Sequence, residues 1–196
     1  MSSLDLGNDT NFTPYIRWMA SVQGWRENGE DGPLPVEIEN VVMDLENIRQ
    51  GWGFFAEGEA PSWEWDNGSR PPRPTADHKR GFSVLLYSPR TFGTDSPSRE
   101  WSSTATGAIK GLESVYEEFE RKRGENAGKL PVVAYTGSTA VRVGRGNTSI
   151  PNFQIVDWTE RPDGFVADDD NSRGELAETT TKSAETTKSA ETKTHF

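Results

Sequence analysis

Apolar and polar positions along the chain switch period several times, and each switch names an element. Val36, Ile38, Val41, Val42 and Leu45 form a strand-like run that begins after Pro33 and Pro35. Gly51 to Phe55 reads as a second short strand, its glycines admitting a bulge or a bend. From Ala56 to Asp77, prolines and turn residues predict a long irregular loop. Gly81 to Tyr87 is a strand closed by Ser88 and Pro89. The period then changes. Ile109, Leu112, Val115, Tyr116 and Phe119 fall on one face at spacings of three and four, while Lys110, Glu113, Glu117, Glu118 and Arg121 fill the other. That spacing predicts a helix over 106–122, packed through the first set. Ser102 to Thr104 supply candidate caps and Gly124 a stop. Leu130–Tyr135, Thr139–Val143 and Phe153–Trp158 follow as strands between Gly-rich turns.

Three strands, one amphipathic helix and two or three further strands predict a mainly β domain. The order is compatible with an oligonucleotide-binding (OB) fold: a five-stranded barrel with its helix between the third and fourth strands. Other small barrels and α+β sandwiches share the order, so architecture alone does not decide function.

The ends read differently from the middle. Residues 1–11 lack the basic and apolar stretches of a signal peptide, and no window approaches the ~20 apolar residues of a membrane span. The chain is therefore expected to be soluble and cytoplasmic. Residues 167–196 hold no aromatic except Phe196, and TKSAET occurs twice in tandem, at 181–186 and 187–192. Such a segment has too little apolar surface to offset its ordering entropy. A disordered N-terminus (1–11), a folded body (12–166) and a disordered, acidic, low-complexity tail (167–196) are expected. The overall hydrophobic share of 32% fits an unfolded portion.

Composition removes most reaction chemistry. There is no cysteine, and the only histidines are His78 and His195. Thiol nucleophiles, Cys-rich zinc sites and disulfides are excluded, and a Ser-His-Asp triad would need His78. Gly124 to Leu130 has the wrong spacing for a phosphate-binding loop and follows a helix rather than a strand. Glu64 and Asp66, flanked by Trp63 and Trp65, resemble a glycosidase carboxylate pair; the plainer reading is an acidic loop whose tryptophans pack on the domain. No enzyme, cofactor or metal is expected.

Charge is segregated within a net of −10. Residues 27–66 carry eleven acids against Arg49 alone. Residues 67–94 invert this, with Arg70, Arg73, Lys79, Arg80 and Arg90 against Asp77, and residues 129–149 hold Lys129, Arg142 and Arg145 with no acid. Aromatics interleave with these cations. Cations that meet phosphates, beside rings that stack on bases at roughly 1–3 kcal/mol each, are what single-stranded nucleic acid requires. Arg70, Arg73, Lys79, Arg80, Arg90, Arg142 and Arg145 are the candidate phosphate contacts, and Trp52, Trp65 and Phe82 the candidate stacking residues. The competing reading places most of these rings in the core and the loop arginines in solvent.

Asp44 to Ile48, Gly51-Trp52-Gly53, Ala60 to Asp66, Lys79 to Phe82, Leu130 to Val133, Pro151 to Phe153, Trp158 and Arg161-Pro162 together resemble phage and prophage single-stranded DNA-binding proteins over residues 36–165. The resemblance implies an OB fold, sequence-tolerant binding of single-stranded DNA, a role in phage-type DNA replication or recombination, and the host cytoplasm as its place. It also implies recruitment of replication proteins through an acidic C-terminal tail. Asp168 to Asp170 and Phe196 match that pattern, but residues 181–196 hold two acids and three lysines, so the acidic tip is missing. Two readings of other classes stand beside it: a non-catalytic carbohydrate- or protein-binding module, and a virion structural protein.

Overall fold

The computed structural model describes residues 13–29, 32–56, 61–144 and 146–165. The chain divides after Phe165. The expectations for residues 1–11, for the tail 167–196 and for Arg145 lie outside the described residues.

The body is mainly β. Its strands are β1 (Tyr15–Met19), β2 (Gly24–Gly29), β3 (Gly32–Val36), β4 (Asn40–Met43), β5 (Arg49–Phe54), β6 (Ser62–Trp65), β7 (Lys79–Tyr87), β8 (Ser98–Ser103), β9 (Leu130–Val143) and β10 (Gly146–Thr159). A one-turn helix α1 (Pro89–Phe92) follows β7, and helix α2 (Thr106–Lys122) lies between β8 and β9. The strands form one sheet in the order β10-β9-β4-β7-β8-β1-β2-β3, with β5 paired to β7 and β6 added to β5. Strand β7 organises it: its first half pairs with β5, its second half with β4, and β8 lies along its other side.

Ten strands therefore stand where the residue pattern predicted five or six, and no backbone pairing joins the two ends of the sheet among the described residues. The ends meet through side chains. Trp18 Nε1 donates to the Ser149 carbonyl at 3.1 Å, and Ser138 Oγ donates to Gln23 Oε1 at 3.3 Å. Four further departures have local causes. The run from Val36 to Leu45 is two strands, because Val36 belongs to the β2 ladder and Val41 to the β9 ladder. Ser102 and Ser103 end β8 instead of capping α2, whose N-cap is Ala105 with no side-chain cap bond. Gly124 sits inside a 3₁₀ turn (Arg123–Glu125) beyond the helix end. Leu130–Val143 is one strand rather than two; Gly137 at φ 104 lets it pass a bulge opposite Pro151 and Phe153.

Helix α2 spans the expected residues but is rotated on the sheet. Gly107, Ala108, Gly111, Leu112, Val115 and Phe119 are buried, Ile109 is only half-buried, and Tyr116 is 37% exposed. The glycines explain the rotation. A Cβ on Gly107 would lie 2.3 Å from the Ser149 carbonyl oxygen, and one on Gly111 would lie 2.7 Å from Pro151. Their absence lets the helix backbone settle onto β10. Beneath it an aromatic core joins the two ends of the sheet: Trp25 meets Trp101 edge-on at 5.0 Å, and both rings contact Phe153. Such pairs add about 0.5–1.5 kcal/mol beyond their burial.

The two ends of the strand path, β3 and β10, are poor templates for further pairing, and the free side of β6 is only four residues long. Alternate residues of an antiparallel strand point their N–H groups the same way. Pro33 and Pro35 share one phase of β3, so the ladder to β2 uses the other, and the outward side lacks donors at both positions. On β10, Ile155 N–H donates to Glu118 at 3.2 Å, the Ser149 carbonyl accepts from Trp18, and Pro151 has no N–H. The C-terminal end of the body is held by Arg161, which donates to both carboxylate oxygens of buried Asp44 at 2.6 and 3.0 Å and to the Phe165 carbonyl at 3.2 Å.

Candidate functional site

The segment Ser62–Trp65, expected to be irregular, is strand β6, and its register creates the most distinctive surface of the molecule. Cross-strand partners share a face. Trp65 lies opposite Gly51, which lies opposite Gly81, and Trp63 lies opposite Gly53, which lies opposite Lys79. Two tryptophans thus stand over three glycines. Added Cβ atoms would meet the Trp63 ring at 2.8 Å from Gly53 and 2.9 Å from Gly81, and the Trp65 ring at 2.9 Å from Gly51. The glycines of β5 make neither bulge nor bend; they make a floor. On it the two indoles stack at 4.4 Å and 7°. The Arg49 guanidinium covers Trp65 at 4.2 Å, and Phe55, 45% exposed, meets Trp63 edge-on at 5.6 Å. Two groups this close to one ring must occupy its opposite faces. Lys79 is exposed on the same side of the sheet.

The opposite side of these strands carries Trp52 and Arg80, cross-strand partners. Arg80 donates to both oxygens of Asp66, at 2.7 and 2.6 Å, and lies over the Trp52 ring at 5.3 Å. Those bonds hold the Asp66 carboxyl below the usual carboxylate range, helped by the charges of Arg80 and Arg70. Trp52 Nε1 donates to the Pro71 carbonyl at 2.9 Å. Arg73 lies 5.7 Å over the same ring, and donates to the His78 carbonyl at 2.7 Å and to the Ala76 carbonyl. These contacts shape the 66–78 loop.

The candidates from sequence thus separate. Trp52, Arg73 and Arg80 come together, but as partners of one another and of Asp66. Trp65 is on the shelf, Lys79 beside it, and Arg70 is exposed on the loop. Phe82 is not a stacking residue. It is 3% exposed and packs edge-on against Trp101 at 4.8 Å, because its phase on β7 points inward. Arg90 lies apart on α1, 3.2 Å from Glu39. Arg142 is exposed near the tip of the β9–β10 hairpin, opposite Asn147. Trp63, expected only in the glycosidase-like and sugar-platform readings, and Arg49, the lone cation of the acidic stretch, were not among the candidate DNA contacts; the signal was the Trp-x-Trp alternation facing Gly-x-Gly.

A cavity of about 380 Å³ lies on the inner side, between α2 and the turn joining β4 to β5. Its apolar walls are Leu45, Ile48, Phe82, Ile109, Leu112 and Tyr116. Glu46, Gln50, Arg70, Arg80 and Glu113 supply its polar groups. Among the described residues no cluster of His, Asp or Glu is placed to hold a metal ion, and no helix is long and apolar enough to cross a membrane. No family model, curated protein or solved structure matches the chain.

Proposed function

We propose that this protein binds single-stranded DNA without sequence preference and without catalysis, in phage-type replication or recombination. The observation that carries the reading is the Trp63–Trp65 stack on its glycine floor, with Arg49 over Trp65 and the exposed Lys79 on the same side of the sheet. Aromatic rings give a sequence-tolerant stacking surface, and the cations give the phosphate contacts. In this scheme a base replaces Arg49 over Trp65, while the displaced guanidinium moves to a phosphate.

The sheet order supports the same reading. The path β10-β9-β4-β7-β8, with α2 between β8 and β9, is compatible with an OB fold if these five strands are taken as its own. In that scheme β1, parallel to β8, takes the position that would close the barrel. The shelf then belongs to the connection between the first two OB strands, and Arg142 to the hairpin between the last two. These are the two loops with which OB folds grip oligonucleotides.

The test is fluorescence anisotropy of labelled oligo-dT, duplex DNA and RNA against the full chain at two salt concentrations. The expected result is binding of oligo-dT over duplex. Its logarithmic salt slope should be about −0.7 per phosphate contact. Trp65→Ala should weaken it by about tenfold, the loss of one stacked base. Binding that ignores salt overturns the reading in favour of a sugar- or peptide-binding platform.

A further inference from the structure

The inner cavity is separate from the tryptophan shelf, and its chemistry is specific. Its volume of about 380 Å³ is in the range of small-molecule sites, and apolar side chains form most of its walls. Its charges are mostly accounted for. Arg80 is matched by Asp66, and Glu46 lies 3.7 Å from Arg161. Arg70 and Glu113, both exposed, make no ion pair among the described residues. A small anion would face an unmatched carboxylate, and a hydrocarbon would desolvate Gln50 and Glu113 without partners. A flat heterocycle with donors and acceptors on one edge meets both demands.

We propose that this cavity receives one nucleobase bearing an exocyclic amino group. In the strand-bound case this rests on the reading above and adds a preference at one base to contacts that are otherwise sequence-tolerant. The ring lies between the α2 side chains Ile109 and Tyr116 and the Leu45–Ile48 side. Gln50 offers its amide to the base edge as both donor and acceptor. A carboxylate only accepts, so Glu113 favours a base that presents an amino group, as adenine, cytosine and guanine do; thymine's one ring donor, N3–H, lies between two carbonyl oxygens that a carboxylate repels. Arg70, at the rim and within the 66–78 loop, is placed for the adjoining phosphate. The same base chemistry is available from a nucleotide of a bound strand or from a free nucleoside.

The experiment uses the full chain with methyl-labelled Ile and Leu. Deoxyadenosine, deoxycytidine, thymidine, oligo-dA and oligo-dT are each titrated while methyl NMR follows Ile48, Ile109 and Leu112. Deoxyadenosine and deoxycytidine are expected to shift these methyls saturably and thymidine not. Gln50→Ala, at an exposed position, should weaken deoxyadenosine by about tenfold. Ile109→Trp, which fills the cavity from a half-buried position, should abolish nucleoside binding and leave the oligo-dT salt slope unchanged.

Equal affinity for thymidine and deoxyadenosine overturns the amino-group assignment. Salt-dependent oligonucleotide binding with silent methyls, and no nucleoside binding, overturns the cavity proposal while the single-stranded DNA reading stands. Nucleoside binding without oligonucleotide binding upholds the cavity as a free-nucleoside site and overturns the strand reading. If nothing binds, both fall.

Discussion

Gly53→Ala and Gly81→Ala add the same methyl group beneath the same indole, yet they should behave differently. At Gly53 the nearest atoms to the new Cβ belong to side chains: the Trp63 ring at 2.8 Å and Thr104 Cγ2 at 2.9 Å. Both are side-chain atoms, which must shift but can do so without moving a strand. At Gly81 it meets the Ser103 carbonyl oxygen at 2.4 Å, and that oxygen belongs to the neighbouring strand β8. Overpacking costs about 1–3 kcal/mol, offset by the roughly 0.5–1 kcal/mol that Ala gains over Gly in an extended strand. Gly81→Ala should therefore lose about 1–2 kcal/mol, a fall in Tm of about 2–8 °C for a domain of this size. Gly53→Ala should stay within about 1 kcal/mol of the parent but tilt Trp63, weakening oligo-dT about fivefold. Thermal melts and anisotropy measure the two effects. In a Trp63→Ala background the binding penalty of Gly53→Ala should vanish, as a double-mutant cycle requires for contacting residues. A Gly81→Ala protein that melts with the parent, or a Gly53→Ala penalty that survives removal of Trp63, would refute the glycine-floor argument.

Asp44→Ala leaves Arg161 and Asn47 without their shared acceptor and should cost about 2–3 kcal/mol in urea unfolding; an unchanged midpoint would mean that the C-terminal end of the body is held elsewhere. The hydrogen bonds and charge of Arg80 lower the Asp66 pKa in the fold, so the pair stabilises the protein above the ordinary carboxylate pKa and the benefit is lost as pH falls through the lowered value. Asp66→Asn should flatten that acid limb of a stability-pH curve, and an identical limb would count against the pair. Leu112→Asp buries an unpaired charge under α2 and should abolish the dispersed NMR spectrum, whereas a folded variant would remove Leu112 from the core. Lys79→Ala and Arg142→Ala should each reduce the magnitude of the oligo-dT salt slope by about 0.7, and a slope unmoved by both would place the phosphates on another face.

Legibility in the sequence followed the distance over which each feature is determined. Helix α2 was readable because its apolar period is local, and β7 because its apolar run is continuous. Strands β1 and β2 were not: each buries few residues, such as Ile16, Trp18 and Trp25, each beside an arginine, and they become strands only by packing against β8 and the β9–β10 hairpin. The prolines of β3 looked like a loop because they suit only an outer strand. At the site, the cations of 67–80 were visible, but the carboxylate that engages Arg80 lies fourteen residues away across a turn. Phe82 had an even choice of face until Trp101 and Val84 set the phase of β7.

The proline-stripped edge of β3 and the occupied edge of β10 bear on how copies would share a template. Proteins that coat a polymer sometimes merge their sheets, so that each subunit templates the next and coverage spreads from a nucleus. Neither of these edges offers an unbroken row of backbone donors for that purpose, and the remaining free edge, β6, is only four residues long. A line of these molecules along a strand would be beads on a string, held in file by the string itself. Each bead could leave singly, without unzipping a shared sheet.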